Sequence, residues 1–305
     1  MALSTLAGVR VKNLTVEHAS PEPIAIRPVF VVGVPRSGTT WIQRMLAMHP
    51  EAWGLLETDM FSRASGLGAL LDSAPAPRED GDLGLPPPGL GRVFDREELV
   101  AELRSIATRW LARGSGSARF VIEKSPWHLS DLDVITEILP EARFIHVIRD
   151  GRDVAVSVVA ARSSWSGMEQ SSPHATVREV AGLWAHAMRR REIARALLDE
   201  ALLEVRYEEV RSDPAEACRQ LFAHCGMPHD DDLVARVVEA TEFGRPDRPH
   251  GEASPSRAGR VGQWRERFGM RDGWSFERRA GPALEETGYE PDRRWWRRCR
   301  LRSRL

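Results

Sequence analysis

Hydrophobic and polar positions along the chain fall into short apolar runs separated by longer amphipathic stretches. Val29 to Val32 and Phe120 to Ile122 are continuous apolar runs of strand length, and Phe144 to Ile148 is apolar or β-branched but for His146, the pattern of strands covered on both faces. Leu202 to Tyr207, with Glu204 and Arg206 among its apolar positions, is read as a further strand. Between and after them the spacing predicts helices over Thr39 to His49, Asp95 to Arg113, Ser130 to Leu139, Gly151 to Ala161, Pro173 to Asp199, Pro214 to Cys225 and Asp230 to Ala240. The boundaries carry local signals: His49-Pro50 ends the first helix, and Asp95 followed by Glu97-Glu98 starts the second. A further short strand is expected between Pro50 and Glu57. Strands alternating with helices imply an α/β fold, a mainly parallel sheet flanked by helices in three layers, with ligands at the carboxyl ends of its strands.

The whole chain, 1 to 305, reads as one domain with three departures from regular pattern. Residues 1 to 27 form an N-terminal arm, residues 62 to 94 a Gly/Pro-rich excursion containing Pro86-Pro87-Pro88, and residues 293 to 305 a basic tail with seven arginines and two adjacent tryptophans. Excursions of that length in a compact domain tend to shape a binding site. The tail has two readings: a C-terminal helix that packs its tryptophans, or an electrostatic contact with an acidic substrate, partner or membrane surface.

Composition narrows the partners. A net charge of -1 and a pI near 6.8 give no global attraction to nucleic acid. Three cysteines without C-x-x-C spacing indicate neither a disulfide framework nor a zinc site. No signal peptide or membrane span is read, and a cytoplasmic protein is expected. Lys12 and Lys124 are the sole lysines among 43 basic residues, which draws attention to Lys124.

The chemistry starts after the first strand. Gly33-Val-Pro-Arg-Ser-Gly38 is a strand-to-helix turn that nearly completes the phosphate-binding G-x-x-x-x-G-K-[ST] pattern, but Thr39 stands where the lysine should be and Thr40 follows. Amides from Ser37 to Trp41 at a helix start still suit an anion. The expected ligand carries a phosphate and is not ATP with magnesium.

Pro35-Arg-Ser-Gly-Thr-Thr-Trp41 resembles the 5′-phosphosulfate loop of sulfotransferases that use 3′-phosphoadenosine 5′-phosphosulfate (PAPS). Two further segments resemble the same family in the same order. Arg149 and Ser157, eight residues apart, are similar to its 3′-phosphate ligands, where a guanidinium gives bidentate contacts and a hydroxyl adds a donor. Arg257-Ala-Gly-Arg-Val-Gly-Gln-Trp-Arg265 matches five of the seven specified positions of the family's R-K-G-x-x-G-D-W-K segment, counting Arg265 for its final lysine. The resemblance implies that Arg257 and Gly259 close over the 3′-phosphate, and that Trp41 and Tyr207 contact adenine. Taken singly, an Arg-Asp pair is more often a helix cap, and Tyr207 or Trp264 more often a core aromatic. Three segments covering one bipartite ligand outweigh those readings.

The same resemblance assigns chemistry. Arg36, Lys124 and the loop residues Ser37, Gly38, Thr39, Thr40 and Trp41 would stabilise the departing 3′,5′-adenosine bisphosphate (PAP) without a metal. Lys124, in Glu123-Lys-Ser-Pro126, is similar to the lysine of tyrosylprotein sulfotransferases, and Glu57, 21 residues after Arg36, is spaced like their general base. His128 is the alternative base, after the histidine of cytosolic members, whose own slot is Pro126 here. The implied function is sulfuryl transfer from PAPS to a hydroxyl of a small molecule, glycan or natural product. Competing readings are a kinase or NTPase with a degenerate loop, which predicts magnesium-dependent ATP binding, and a non-catalytic nucleotide-binding module, which predicts affinity without turnover.

Overall fold

The computed structural model describes residues 26–73, 90, 94–162, 176–242, 259–303 and 305. The N-terminal arm, most of the 62–94 excursion and Arg257 lie outside the described residues, so their expected roles are not addressed by it. Five parallel strands, β1 (Arg27–Gly33), β2 (Ala52–Leu56), β3 (Phe120–Lys124), β4 (Arg143–Ile148) and β5 (Leu202–Arg206), form one sheet in the order β2-β3-β1-β4-β5.

Alternation along β1 makes the sheet two-sided. Phe30 and Val32 face a core layer built with α3 (Arg96–Leu111), α4 (Leu132–Ile138), α6 (Val177–Leu198) and α11 (Met270–Glu286), where Leu103, Ile135, Trp184 and Phe276 are buried. Val29 and Val31 face the opposite layer, made by α1 (Thr39–Ala47), α8 (Pro214–Cys225) and α9 (Asp231–Ala240) through Ile42, Met45, Phe222 and Val237. The remaining helices are α2 (Leu67–Asp72), α5 (Gly151–Arg162), α7 (Tyr207–Ser212) and α10 (Trp264–Arg267). The three-layer α/β architecture expected from the strand–helix alternation is present.

Capping explains several boundaries. Asp95 accepts from the Glu98 amide while the Glu98 carboxylate accepts from the Asp95 amide, and Thr176 with Glu179 repeats this reciprocal cap at the start of α6. Departures from expectation have local causes. The helix expected over Ser130 to Leu139 is preceded by a 3₁₀ turn, Pro126–Ser130, and begins only after Asp131 leaves helical geometry at φ -119° and ψ 20°. Tyr207 opens a helix of six residues, too short to show periodicity, and does not end β5. α11 carries Gly273, Gly281 and Pro282, all poor helix formers in sequence. Packing overrides propensity there: a Cβ on Gly273 would sit 2.8 Å from Trp296 Cβ, so glycine lets the tail approach. Among its described residues that tail forms a four-residue 3₁₀ turn, Trp295–Arg298, and no longer helix. Trp295 is buried, and Arg293 and Arg298 pair with Glu277 and Glu290.

Candidate active site at the strand ends

Each strand delivers one of the residues singled out in the sequence at its carboxyl end. Arg36 and Ser37 follow β1, Glu57 follows β2, Lys124 ends β3, Arg149 follows β4, and Tyr207 follows β5. With β1 between β3 and β4, the groups divide into two halves around the β1 turn.

That turn is shaped by close approaches. Gly33 has φ 149°, and a Cβ there would lie 2.6 Å from the Val147 carbonyl of β4. Gly38 has φ 104°, and a Cβ would lie 2.4 Å from the Tyr207 ring, so Tyr207 packs directly beneath the turn. Gly38 caps α1 without any side chain. The Ser37 amide donates to the Val34 carbonyl and the Trp41 amide to the Gly38 carbonyl, each at 3.0 Å, which leaves the amides of Gly38, Thr39 and Thr40 between them for an external acceptor. Ser37 Oγ is buried and has no hydrogen-bond partner among the described residues. A buried hydroxyl beside open helix amides fits an anionic group. Thr39 is buried and Thr40 exposed. Arg36 sits at φ 73°, a conformation that non-glycine residues hold only when their surroundings impose it. Its Nε donates to Ser157 Oγ at 3.3 Å, which joins the β1 turn to α5.

On the β4–β5 side, Arg149 is buried, donates to the carbonyls of Arg36 and Arg260 at 3.2 Å each, and lies 4.3 Å from the Tyr207 ring centroid. Arg149 Nε has no partner among the described residues. The Tyr207 hydroxyl donates to the Gly259 carbonyl at 2.7 Å, and its ring meets Trp41 edge-on at 5.9 Å. Trp41 donates to the Thr241 carbonyl at 3.1 Å and helps line a cavity of about 600 Å³ with Arg211, Val234 and Val238. Arg149, Ser157, Tyr207, Trp41 and Gly259 are therefore brought together.

Sequence reasoning missed the residue that ties the 259–264 segment to this half. Asp153, one turn into α5, accepts from the amides of Gly262 at 2.6 Å and Trp264 at 3.0 Å. Arg152 beside it is clamped between the rings of Trp264 and Trp295, at 3.9 and 4.7 Å, and paired with Asp150 and Glu290. The signal that could have found Asp153 is the repeated Asp in Arg149-Asp-Gly-Arg-Asp153. Burial, then the neighbouring Asp150 charge, push the Asp153 carboxyl up to about 6, against the opposing pull of Arg149 and the two amides. A raised carboxyl value means the folded state binds the proton more tightly, so stability falls as pH rises from about 4 to about 6. Asp153→Asn is expected to abolish this slope. Urea unfolding at about pH 4 and pH 7 should show the wild type losing about 2 kcal/mol relative to the variant, somewhat less than the full shift at 1.36 kcal/mol per unit because the unfolded carboxyl is already about half ionised at pH 4. Parallel pH profiles would contradict this account.

On the β2–β3 side, Lys124 Nζ donates to Glu57 Oε1, with the lysine side chain 5% exposed and the glutamate 62% exposed. Glu57 is held at φ 32° and its amide donates to the Lys124 carbonyl at 2.8 Å. His128 is fully buried between the Phe30 and Phe61 rings, with centroids at 6.3 and 5.8 Å, and neither ring nitrogen has a hydrogen-bond partner among the described residues. The structure therefore brings Glu57 to Lys124 and leaves His128 in the core.

A parallel sheet with a glycine-turned anion cradle at its centre, and arginine and lysine around it, defines a P-loop-like nucleotide-phosphate fold. Residues 28–231 match the Sulfotransferase family, and the chain belongs to that family. It is 26% identical over 207 residues to a protein-tyrosine sulfotransferase of Drosophila melanogaster, covering 68% of this chain and 39% of that protein. It is 27% identical over 247 residues to the omega-hydroxy-beta-dihydromenaquinone-9 sulfotransferase Stf3 of Mycobacterium tuberculosis, covering 67% and 64%. The matches thus span less than two thirds of these relatives' own length. Among solved structures, mouse sulfotransferase SULT7A1 complexed with PAP superposes with a TM-score of 0.54 at 17% identity, covering 89% of this chain and 88% of that one. Sulfotransferase STF9 of Mycobacterium avium gives 0.51 at 20% identity, covering 87% and 78%. Among the described residues no helix is long and apolar enough to cross a membrane.

Proposed function

We propose that the protein transfers a sulfuryl group from PAPS to a hydroxyl of a small-molecule, glycan or natural-product acceptor. The observation that carries this reading is the convergence of Arg36, Glu57, Lys124, Arg149 and Tyr207 at five strand ends around one anion cradle. Family membership supports it. Glu57 takes the acceptor's proton as the acceptor oxygen forms its bond to sulfur, and the bond from sulfur to the phosphate oxygen breaks to release PAP. Glu57 is favoured over His128 because its carboxylate is exposed and touches Lys124, whereas the imidazole is sealed in the core. Lys124, Arg36, the buried Ser37 hydroxyl and the amides of Gly38, Thr39 and Thr40 stabilise charge on the departing phosphate. Arg149 and Ser157, with Arg257 and Gly259, hold the 3′-phosphate, and Trp41 and Tyr207 hold the base. Arginine and lysine supply the positive charge that magnesium supplies in ATP sites.

The test is thermal stabilisation by PAP against ATP with magnesium and against 5′-AMP. At 100 times its dissociation constant a ligand adds about 2.7 kcal/mol, worth roughly 5 °C in a chain of this size. A PAP-specific shift, followed by acceptor-dependent release of PAP from PAPS, is the expected result. A shift with ATP and magnesium alone would overturn the proposal in favour of a kinase, and PAP binding without turnover across acceptor classes would favour a binding module.

A further inference from the structure

The tripeptide Glu123-Lys124-Ser125 presents alternate side chains to opposite sides as β3 ends. Lys124 reaches Glu57, while Glu123 and Ser125 turn beneath the backbone that carries Glu57. There, one buried oxygen gathers three donors. Glu123 is 1% exposed, and its Oε1 accepts from the Thr58 amide at 3.1 Å, Thr58 Oγ1 at 2.9 Å and Ser125 Oγ at 2.6 Å. Both hydroxyls pass the constraint on: Ser125 Oγ accepts from the Asp59 amide, and Thr58 Oγ1 from the Met60 amide, each at 3.3 Å. With the Glu57 amide on the Lys124 carbonyl at 2.8 Å, four consecutive amides, 57 to 60, are anchored directly or through Thr58 to residues 123–125.

This segment is neither helix nor regular strand, and it needs the anchoring. Glu57 at φ 32° and Asp59 at φ 46° both occupy positive-φ backbone that non-glycine residues avoid, a conformation that persists where surrounding bonds over-determine it. Among the described residues nothing covers the solvent side, where residues 56 to 59 are exposed. The other carboxylate oxygen, Oε2, faces His128 Nε2 at 3.9 Å, beyond hydrogen-bond range, so among the described residues every hydrogen bond the carboxylate accepts is on Oε1 and comes from Thr58 or Ser125.

We infer that Glu123 is a positioning residue: through Thr58 and Ser125 it holds the 57–60 backbone in its strained form and so fixes the Glu57 carboxylate opposite Lys124. The inference rests on Glu57 acting as base, and its test separates the two. Glu123→Ala is expected to speed amide hydrogen exchange at residues 58 to 60 by tenfold or more and to lower kcat about 30-fold with the KM for PAPS unchanged, since displacing a reacting group by an ångström costs on the order of 10²-fold. In a Glu57→Ala background the same change should cost nothing further, because there is no carboxylate left to position. Thr58→Val removes one donor without touching the buried carboxyl, and is expected to lower kcat about threefold to tenfold. It serves if Glu123→Ala does not fold. Unchanged exchange in the folded variants overturns the inference whatever the activity, as does an equal loss of kcat with and without Glu57. Accelerated exchange in a protein whose wild type never turns over PAPS would instead overturn the proposed chemistry and leave the anchoring in place.

Discussion

Lys124→Met is expected to lower kcat about 10²- to 10³-fold while PAP still binds, the usual loss when a preorganised donor to a developing anion is removed. Methionine keeps the apolar stem and removes the charge. The stem matters because the Lys124 side chain is 5% exposed, so alanine would add a packing defect to the loss of charge. The ion pair with Glu57 is open to solvent on the glutamate side, at 62% exposure, and a pair of that kind contributes within about 1 kcal/mol. Destabilisation therefore cannot mimic a loss of kcat approaching 4 kcal/mol. Single-turnover release of PAP, measured beside the PAP-induced thermal shift, separates chemistry from binding. Wild-type turnover in the variant would remove Lys124 from the mechanism.

Arg149→Ala is expected to act on the other half of the site, with loss of the PAP-induced shift and an unchanged response to 5′-AMP. The guanidinium is buried, anchored on two carbonyls and stacked on Tyr207, so in the proposed role it would meet a phosphate without further ordering. Hydrogen bonds to charged groups contribute about 1.5 to 3 kcal/mol each, and removing a two-pronged guanidinium–phosphate interaction should weaken PAP by 10²-fold or more. 5′-AMP lacks the 3′-phosphate and provides the internal control. An equal loss for both nucleotides would place Arg149 elsewhere than at the 3′-phosphate. Truncation also leaves Asp153 without the cation 4.0 Å away, so the variant should be less stable, and its binding must be compared at a temperature where it is folded.

How much was legible in the sequence differs between the sheet and the site. Strands buried on both faces announce themselves as apolar runs, and β1, β3 and β4 fall where those runs lie, while β5, with Glu204 and Arg206 in it and only Val205 buried, lies at the sheet edge. The anion cradle was legible because glycine is demanded at φ values that other residues avoid. Interactions made across the sheet were not. Nothing local to Tyr207 says that its ring fills the space over Gly38, and nothing local to Asp153 says that it receives amides from 109 and 111 residues away. The same holds for Glu123, which looks like one more polar residue at a strand end until the bonds from Thr58 and Ser125 are seen. α11 escaped because its glycines and proline are tolerated by neighbours far along the chain. Only burial separates His128 from Glu57.

The sheet order places Glu57 and Lys124 on one side of β1 and Arg149 and Tyr207 on the other. β2 and β3, which bracket residues 57 to 119, both lie on the Glu57 side of β1. Sequence drift that spares buried positions such as Phe61 and Leu103 can therefore alter the Glu57 side while leaving in place the Arg149 side, whose parts come from β1, β4, β5 and the 259–264 segment. Such a scaffold allows a lineage to exchange one partner while inheriting the other.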